Sequence, residues 1–429
     1  MKSFFKKIVT TVLMWEAKRV LKKYKPKIVA VTGSVGKTST KDAIYMALSQ
    51  SELTRKSEKS FNSDVGVPLT ILGLPNAWDS ILGWIENLGE GFILPWRNEA
   101  YPKWLVLEVG VDRPGDIARF SWLKPNIVVF TQFPKVPVHV EYFSSPEEVA
   151  NEKRLLKEYL TEDGTLIING DDVRMGREEV KEGQHKLVYG KGENATVRGF
   201  DYKIEYEDGV PTGISFKAQF QDKVETVLLP GVLGQHHMYP ALAACTVIVS
   251  EGKMFTDVAE VFKEQHFAPG RMRLLKGIHG SVIVDDSYNS SPVAVQAGID
   301  AIGAIQNTGK KIVVLGDMLE LGDFSVREHR EVGSLIAASA DVFISVGVRM
   351  LAAAEAAQVA NARCKKIESF QTGEEAIGLL QSIIEEGDLV FVKGSQGMRL
   401  ERVVENILSD PHAAEKLLAR QDPHWKSRP

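Results

Sequence analysis

The chain has 429 residues, of which 44% are hydrophobic and 25% are charged, and its formal net charge is −4. This length and composition predict a globular protein of two or three domains, and the mild negative charge argues against a general nucleic-acid binder. The two cysteines, Cys245 and Cys364, are far apart and lack metal-ligand spacing. They predict no disulfide framework and fit a reducing cytoplasm.

The first 26 residues differ from the rest because they are strongly basic. Their apolar residues recur at roughly helical spacing, which predicts an amphipathic helix. The apolar stretch from Ile8 to Trp15 is too short to span a bilayer, and no small-residue cleavage site follows it. Two interpretations stay open: residues 1–25 lie on an anionic membrane surface, or the helix packs on its own domain with its lysines in water.

A phosphate-binding loop is predicted directly after the first strand. Ile28 to Val31 is a β-branched run typical of a buried parallel strand, and the following GSVGKTST turns through glycines into a helical pattern. Glycines let backbone N–H groups approach an anion, and the helix N-terminus adds a favourable field. In such a loop Lys37 reaches the β- and γ-phosphates and the Thr38 hydroxyl ligates Mg²⁺; a chance glycine-rich turn is the alternative. The predicted cradle comprises Gly33, Ser34, Gly36, Lys37, Thr38 and Ser39.

Further strands and a helix follow in the same half of the chain. Trp104 to Gly110 predicts a buried strand with Glu108 near its end, and open α/β sheets bind ligands at the carboxyl ends of their strands. Glu108 is therefore a predicted metal ligand, with a structural carboxylate as the alternative. The other predicted elements are a strand over Asn126 to Thr131, a loop with His139, a helix from Pro146 to Leu160 that carries Lys153, and a strand over Thr165 to Asp172.

The pattern changes from about Leu187 to Leu233, where polar and apolar residues alternate around an Asp-Gly pair. This predicts an antiparallel β insertion, and an apolar helix from Tyr239 to Ser250 follows it. A second α/β unit begins near Pro269, and the polar stretch after Pro411 is predicted to be loosely held. The strands of the second unit alternate with helical patterns, which predicts another parallel sheet: Ser281 to Asp285, Lys311 to Leu315, Val342 to Val346 and Leu389 to Val392.

Ten motifs occur along the chain in this order: GSVGKTSTKDAI, FNSDVGVPLTIL, LEVG, HVEYFSSPEEVANEK, INGDD, LGQHHMYPALAA, PGRMR, DDSYNSSP, GDMLELG and VKGSQGMRLE. Together they resemble the Mur ligase family, over nearly everything from Lys27 to about residue 408. DDSYNSSP and GDMLELG look most like the branch that adds D-alanyl-D-alanine to UDP-N-acetylmuramoyl-tripeptide. The resemblance implies an α/β fold with a central P-loop ATPase domain, which carries the β insertion, and a C-terminal Rossmann-like domain. The implied divisions are a basic amphipathic helix over 1–26, the central domain over 27–267 and the C-terminal domain over 268–429.

The resemblance also implies a reaction and its cofactors. ATP phosphorylates a substrate carboxylate to an acyl phosphate, an amine or dipeptide donor attacks it, and phosphate leaves as the amide forms. A carboxylate is a poor electrophile at neutral pH, and the crowded anions need Mg²⁺ and lysine to neutralise them. ATP and two Mg²⁺ ions are the implied cofactors. The expected partners are small molecules and not nucleic acid, and a cytoplasmic monomer is expected, with contact to a membrane surface left open.

Site residues in the central domain are carried over position by position. Lys37 and Thr38 match the nucleotide lysine and the Mg²⁺-ligating hydroxyl, and Glu108 and His139 match metal-site residues. Lys153 matches a lysine that is carbamylated in several members; a carbamate presents oxygens to Mg²⁺, whereas an ammonium repels it. An ordinary surface lysine is the alternative for Lys153. The resemblance thus implies Lys37, Glu108, His139 and Lys153 as catalytic residues and Thr38, Glu108, His139 and Lys153 as metal ligands.

In the C-terminal domain, Arg271 matches an arginine that reaches the ATP phosphates, and Asp286 matches an acid that faces the ribose or the adjacent phosphates. The sequence departs from the family pattern at three points. Two asparagine positions before the Ala-rich helix, one used for adenine, are His237 and Pro240 here, and His237 is still expected to hydrogen-bond to adenine or stack on it. The loop that leads to His139 is longer and carries prolines. Basic residues stand where the family has its UDP-binding N-terminal domain.

Two other functions stay open. One is a Mur-like ligase that acts on another carboxylate, such as a lipid-linked one. The other is a nucleotide-binding scaffold without ligase activity, and the intact set Lys37, Thr38, Glu108, His139 and Lys153 argues against it.

Overall fold

Two β-sheets form the framework of the chain. The computed structural model describes residues 2–426, except 59–60, 79, 177, 254–255, 265–266, 307–308 and 361–362. The strands of the first sheet are β1 (Lys27–Thr32), β2 (Thr54–Lys56), β3 (Trp104–Glu108), β4 (Ile127–Phe130), β5 (Thr165–Asn169), β6 (His185–Gly190), β7 (Val197–Glu207), β8 (Val210–Phe220) and β9 (Lys223–Pro230). Those of the second sheet are β10 (Arg273–Lys276), β11 (Val282–Asp286), β12 (Lys311–Gly316), β13 (Val342–Val346), β14 (Lys366–Phe370) and β15 (Leu389–Lys393).

The helices alternate with these strands. Those before β10 are α1 (Lys2–Tyr24), α2 (Lys37–Ser49), α3 (Gly66–Leu72), α4 (Ile81–Ile93), α5 (Pro146–Arg154), α6 (Met238–Ser250) and α7 (Thr256–Lys263). Those that follow are α8 (Pro292–Ala304), α9 (Ser325–Ser339), α10 (Leu351–Ala360), α11 (Gly373–Ile383), α12 (Glu401–Ile407), α13 (Ala414–Leu417) and α14 (Pro423–Lys426).

The first sheet is buried on both faces around β1. Its order is β2-β3-β1-β4-β5-β6-β7-β8-β9, and β1 pairs in parallel with β3 and β4. Alternate residues of β1 point to opposite faces: Val29 and Val31 pack with α2 and α6, whereas Ile28 and Ala30 pack with α1 and α3. A strand covered by helices on both sides needs the near-continuous apolar run that the sequence shows here. The predicted α/β fold is confirmed.

The β insertion extends the first sheet at its far edge. Strands β7, β8 and β9 pair antiparallel, and β7 joins β6 in parallel. The turn between β7 and β8 uses Asp208 and Gly209, both with positive φ (50° and 81°). Two residues with positive φ make the turn that matches the twist of a hairpin. The predicted antiparallel insertion is confirmed.

The second sheet has the order β10-β11-β15-β12-β13-β14, in which only the β10–β11 pair is antiparallel. One apolar cluster continues from the α2–α6 face of the first sheet to residues of the second, including Val284 in β11 and Phe391 in β15. The two sheets lie on either side of the predicted division at residues 267 and 268. Apolar side chains of the two sheets therefore pack together.

Helix α1 packs on the first sheet, as the second interpretation of the N-terminal residues predicts. Val9, Leu13, Ala17 and Val20 are buried and join the apolar cluster of α3 and β1. The opposite side of α1 stays exposed, including Trp15. Within the described residues no helix combines the length and apolarity that crossing a bilayer requires.

The prediction of a loosely held C-terminal stretch is wrong for the residues up to 420. Leu418 and Ala419 are buried. Arg420 donates to Glu401 Oε2 (3.1 Å) and to the backbone oxygen of Tyr288. A buried arginine with a carboxylate partner costs several kcal/mol to leave unpaired, so this segment is held against the DDSYN loop. The composition of the stretch is polar, but its few apolar residues and Arg420 determine its packing.

A buried acid in α1 gives the fold a testable pH dependence. Glu16 is 1% exposed, its Oε2 has no hydrogen-bond partner, and burial raises its pKa to about 7. The folded state therefore binds this proton more tightly than the unfolded state does. The contribution of this proton to the free energy of unfolding is complete below pH 4.5, the ordinary pKa of a glutamate. It is lost as the pH rises through about 7, the pKa in the folded state.

We expect Glu16→Gln to raise the free energy of unfolding at about pH 8 by roughly 2 kcal/mol and to change it little at about pH 5. Urea unfolding at both pH values measures the difference. Glu86→Gln, which alters an exposed glutamate of α4, is the control and should show no such pH dependence. An equal effect of Glu16→Gln at both pH values would contradict the assignment.

Candidate active site

The glycine turn after β1 is shaped by close backbone approach. Gly33 has a φ of +146°, and a Cβ built on it would lie 2.0 Å from Thr131 Oγ1. Gly36 has a φ of +84° and caps α2 without a side-chain bond. The Ser34 N–H donates to the Gln132 backbone oxygen (2.8 Å), so the turn is tied to the end of β4. Both glycines are therefore required where the sequence predicts the cradle.

The start of α2 presents unpaired amides at this turn. The first backbone bond at this end is Thr40 N–H to the Gly36 oxygen (2.9 Å). The amides of Lys37, Thr38 and Ser39 precede it and have no partner one turn back in the helix. Such amides and the helix dipole favour an anion. The predicted cradle residues thus lie together at the carboxyl end of β1.

Glu108 lies beside the cradle at the end of the neighbouring strand β3. Its side chain is buried, and it accepts from Thr38 Oγ1 (2.9 Å) and from Asn62 Nδ2 (3.2 Å). Thr38 and Glu108 are two of the predicted metal ligands. A hydroxyl and a carboxylate in contact are oxygen donors of the type that Mg²⁺ takes. Within the described residues, no three His, Cys, Asp or Glu side chains are grouped as metal ligands.

Two lysines are held close together at the cradle. Lys153 is 1% exposed, and its Nζ donates to Ser34 Oγ (3.0 Å). Burial, and then the charge of Lys37, lower the pKa of Lys153 to about 7. Burial also lowers the pKa of Lys37, and the charge of Glu108 opposes that shift. The alternative of an ordinary surface lysine at position 153 is therefore excluded. The repulsion between the two lysines leaves a region that negative charge would stabilise.

His139 connects the central domain with the second. It has a φ of 67°, its Nδ1 lies 2.7 Å from Glu320 Oε2, and its Nε2 lies 3.6 Å from Asp112 Oδ1. The negative charge of Asp112 opposes part of the lowering of the pKa of Lys37 and of Lys153. His139 also contacts the GDMLELG segment of the C-terminal domain.

The two residues predicted in the C-terminal domain have different surroundings. The guanidinium of Arg271 lies 4.3 Å from the Tyr288 ring centroid, and its charge lowers the pKa of Lys37. Its charge therefore acts on Lys37 from the second domain. Asp286 is mostly buried and accepts from Lys393 Nζ (2.6 Å) and from the Met272 N–H (3.3 Å). Its carboxylate is paired within its own domain.

His237 occupies a buried position between the domains. It is 3% exposed, and its ring packs edge-on against Phe267 with centroids 5.3 Å apart. Neither ring nitrogen has a hydrogen-bond partner of good geometry. Burial lowers its pKa well below the usual value, which the neighbouring Arg271 backbone opposes. A neutral imidazole with unpaired nitrogens is suited to a hydrogen-bonding ligand. Pro240 lies in the first turn of α6, where the missing N–H costs little.

The proline-bearing loop between β4 and His139 is anchored by the turn after β5. The Phe133 N–H donates to Asp172 Oδ2 (2.6 Å), and Arg174 donates to the Pro134 backbone oxygen (2.9 Å). Asp172, in the turn that follows β5, thus holds this loop. The longer loop is held against the turn after β5 by these hydrogen bonds, and His139 still lies at the site.

Three residues of the site were not predicted from sequence. Asn62 donates to Glu108, Asp112 lies near His139, and Glu320 contacts His139. Each lies in or next to a motif named above, so the motifs indicated that these segments belong to the site. They did not indicate what each of the three side chains does there. The contacts of these side chains depend on how the two domains pack together. The spacing of residues along the chain does not predict that packing.

Comparison with known proteins identifies the family. The Mur ligase middle domain matches residues 31–248, and the Mur ligase glutamate ligase domain matches residues 270–396. The UDP-N-acetylmuramoyl-tripeptide–D-alanyl-D-alanine ligase of Bacillus subtilis is 30% identical over 408 residues, which are 94% of this chain and 80% of that protein. The Escherichia coli protein of the same name is 28% identical over 88% of this chain and 76% of its own.

A solved structure agrees with these sequence matches. The crystal structure of MurF ligase from Thermotoga maritima in complex with ADP has a TM-score of 0.74 and 26% sequence identity, and covers 95% of this chain and 84% of its own. The alignment therefore includes both domains that build the cleft described above. The chain belongs to the Mur ligase family.

Proposed function

We propose that this chain is an ATP-dependent ligase that joins a carboxylate to an amine through an acyl phosphate. The observation that carries the proposal is the pair of neighbouring lysines, Lys37 and Lys153, at a glycine turn next to Glu108. Nucleotide phosphates supply the negative charge that this arrangement lacks. The relatives named for UDP-N-acetylmuramoyl-tripeptide and D-alanyl-D-alanine support these two molecules as the substrates, in peptidoglycan synthesis.

The reaction divides into two displacements. A carboxylate oxygen attacks the γ-phosphorus of ATP and ADP leaves, which gives the acyl phosphate. The amine then attacks the acyl carbon, and inorganic phosphate departs with the former carboxylate oxygen while the amine loses a proton. Lys37, the amides at the start of α2 and Arg271 hold the phosphates and stabilise the charge that moves during transfer.

Thr38, Glu108, His139 and Lys153 would hold magnesium. When bound, Mg²⁺ would neutralise phosphate charge beside Lys37. The hydroxyl–carboxylate contact of Thr38 with Glu108 fits this role, but a positively charged Lys153 does not. We therefore include the proposal that Lys153 is carbamylated, because this change replaces the ammonium with oxygen donors and removes the repulsion from Lys37.

The nucleotide would reach from the cradle to His237. Its unpaired ring nitrogens and the neighbouring Phe267 ring support a contact with adenine. Asp286 and Lys393 form a buried pair near His236, and they support a role in holding the ribose side of the cleft. Contacts such as His139–Glu320 bring the second domain over the first, which would keep water from the acyl phosphate.

A second candidate is a ligase of the same chemistry that acts on a different carboxylate, for example a lipid-linked one. The observation that favours it lies at the N-terminus: the family match begins at residue 31, and a basic helix precedes it. We propose a cytoplasmic monomer for either substrate. Contact of residues 1–25 with a membrane surface stays a prediction.

The first test measures ADP release by the purified chain with ATP and Mg²⁺. Release should require both UDP-N-acetylmuramoyl-tripeptide and D-alanyl-D-alanine. Lys37→Ala should lower it at least a hundredfold, roughly 3 kcal/mol of lost charge stabilisation. Lys223→Ala, at an exposed lysine of β9, should leave it unchanged. Release without either substrate would indicate a simple ATPase, and none with any carboxylate would indicate a scaffold.

The second test concerns the carbamate. Lys153→Ala should be nearly inactive and should regain part of its activity when short carboxylic acids are added, since they supply the missing oxygens. Lys153→Arg keeps a positive charge that cannot be carbamylated, and it should stay inactive with or without these acids. Thermal unfolding of both variants checks the fold. Normal activity of Lys153→Ala would contradict the carbamate.

A further inference from the structure

Exposed apolar side chains are concentrated on one part of the central domain. Leu82 is 73% exposed, Ile85 60% and Trp96 61%. Single exposed apolar residues are ordinary, but a contiguous group marks a binding surface. We call this group the α1/α4 face; it comprises Phe5, Ile8, Trp15, Ile81, Leu82, Ile85, Phe92, Ile93 and Trp96.

The α4 part of this face is one side of a helix and its continuation. Ile81, Ile85, Phe92 and Trp96 are spaced by 4, 7 and 4 residues, so they lie along the same side. Leu88, at the border of this side, is half-buried and packs against the cluster that α1 and α3 share. The fully buried residues of α4 are Asn87 and Gly91, so the helix keeps most of its large apolar side chains on the exposed side. A surface helix normally has a polar outer side.

The two helices form one continuous surface. The rings of Trp15 and Phe92 stack with centroids 6.2 Å apart, and Phe92 lies 5.0 Å from Trp96. The Arg19 guanidinium lies 4.6 Å from the Trp15 ring and 4.2 Å from the Trp96 ring. Phe5 and Ile8 continue the face along α1, at helical spacing from Trp15.

The charges around the face are mainly positive. Residues 2–25 contain eight lysines and arginines and one acid, Glu16, which is buried. Lys7 and Lys22 are exposed on α1. On α4, Glu90 pairs with Arg97 (2.7 Å), and Glu86 is exposed. Aromatic and aliphatic side chains with a basic border match the boundary of an anionic bilayer, where the rings enter the headgroup region and lysines meet phosphates.

We propose that the α1/α4 face docks on a membrane that contains anionic phospholipid, with both helices lying at the interface. The proposal goes beyond the ligase function and does not depend on it. A second copy of the chain on this face would bring two lysine-rich helices together, and like charges oppose that contact. The absence of a membrane-spanning helix within the described residues leaves surface binding as the mode.

The test is sedimentation of the full chain with lipid vesicles. One set of vesicles is phosphatidylcholine alone, and the other contains about one third phosphatidylglycerol. The chain should sediment with the anionic vesicles, at least tenfold more weakly with the neutral ones, and less as the salt concentration rises.

Matched variants test whether vesicle binding depends on the α1/α4 face or on exposed apolar residues anywhere on the surface. Leu82→Glu with Ile85→Glu should weaken binding at least tenfold, and so should Lys7→Glu with Lys22→Glu. Val326→Glu with Val359→Glu changes two residues of α9 and α10 that are exposed at least as much as Ile85, and it should bind like the wild type. Thermal unfolding and ADP release without vesicles verify that each variant is folded.

Three results would overturn the proposal. The first is no sedimentation with either kind of vesicle. The second is equal binding by the Leu82/Ile85 variant and the wild type. The third is a dimer, seen by analytical ultracentrifugation without vesicles, that the Leu82/Ile85 variant abolishes while vesicle binding is absent. That result would assign the face to a second copy of the chain.

Discussion

The cleft depends on the electrostatic interaction of two lysines at the glycine turn, Lys37 and the buried Lys153. Lys153 is almost fully buried, and the charge of Lys37 adds to the lowering of its pKa. Charged groups of the same sign are unfavourable at low dielectric unless anions offset them. Asp112 and Glu108 offset part of this charge, and a triphosphate would offset the rest. The same feature would therefore bind the nucleotide and stabilise a transferring phosphoryl group.

The second domain adds a positive charge to the lysine pair and covers part of the site. Arg271 acts on Lys37 from one side, and Glu320 contacts His139 from another. A shared apolar cluster joins the two domains. The packing of that cluster, and not the energy of the polar contacts themselves, therefore brings these polar groups together. Exposed ion pairs are weak by themselves. The cleft is thus a property of the domain arrangement, and a change in interdomain packing would alter the chemistry as strongly as a change in the glycine turn.

Much of the fold and the cradle could be predicted from sequence, because both are local. Buried parallel strands need continuous apolar runs, and a phosphate loop needs glycines at fixed positions before a helix. Contacts between distant segments were not predicted: Asn62 with Glu108, Glu320 with His139, and Arg420 with Glu401. The exposed side of α4 was also missed, since its sequence resembles a buried helix. Which side of an apolar helix stays uncovered depends on its neighbours.

Transfer of oxygen from the substrate carboxylate to phosphate tests the central claim most directly. The acceptor is labelled with oxygen-18 in its carboxyl group and incubated with ATP, Mg²⁺ and the amine donor, and the released phosphate is analysed by mass spectrometry. Activation through an acyl phosphate predicts one labelled oxygen in each phosphate, because the leaving group carries the former carboxylate oxygen. Phosphate without label, formed at the same rate as the amide, would contradict the account.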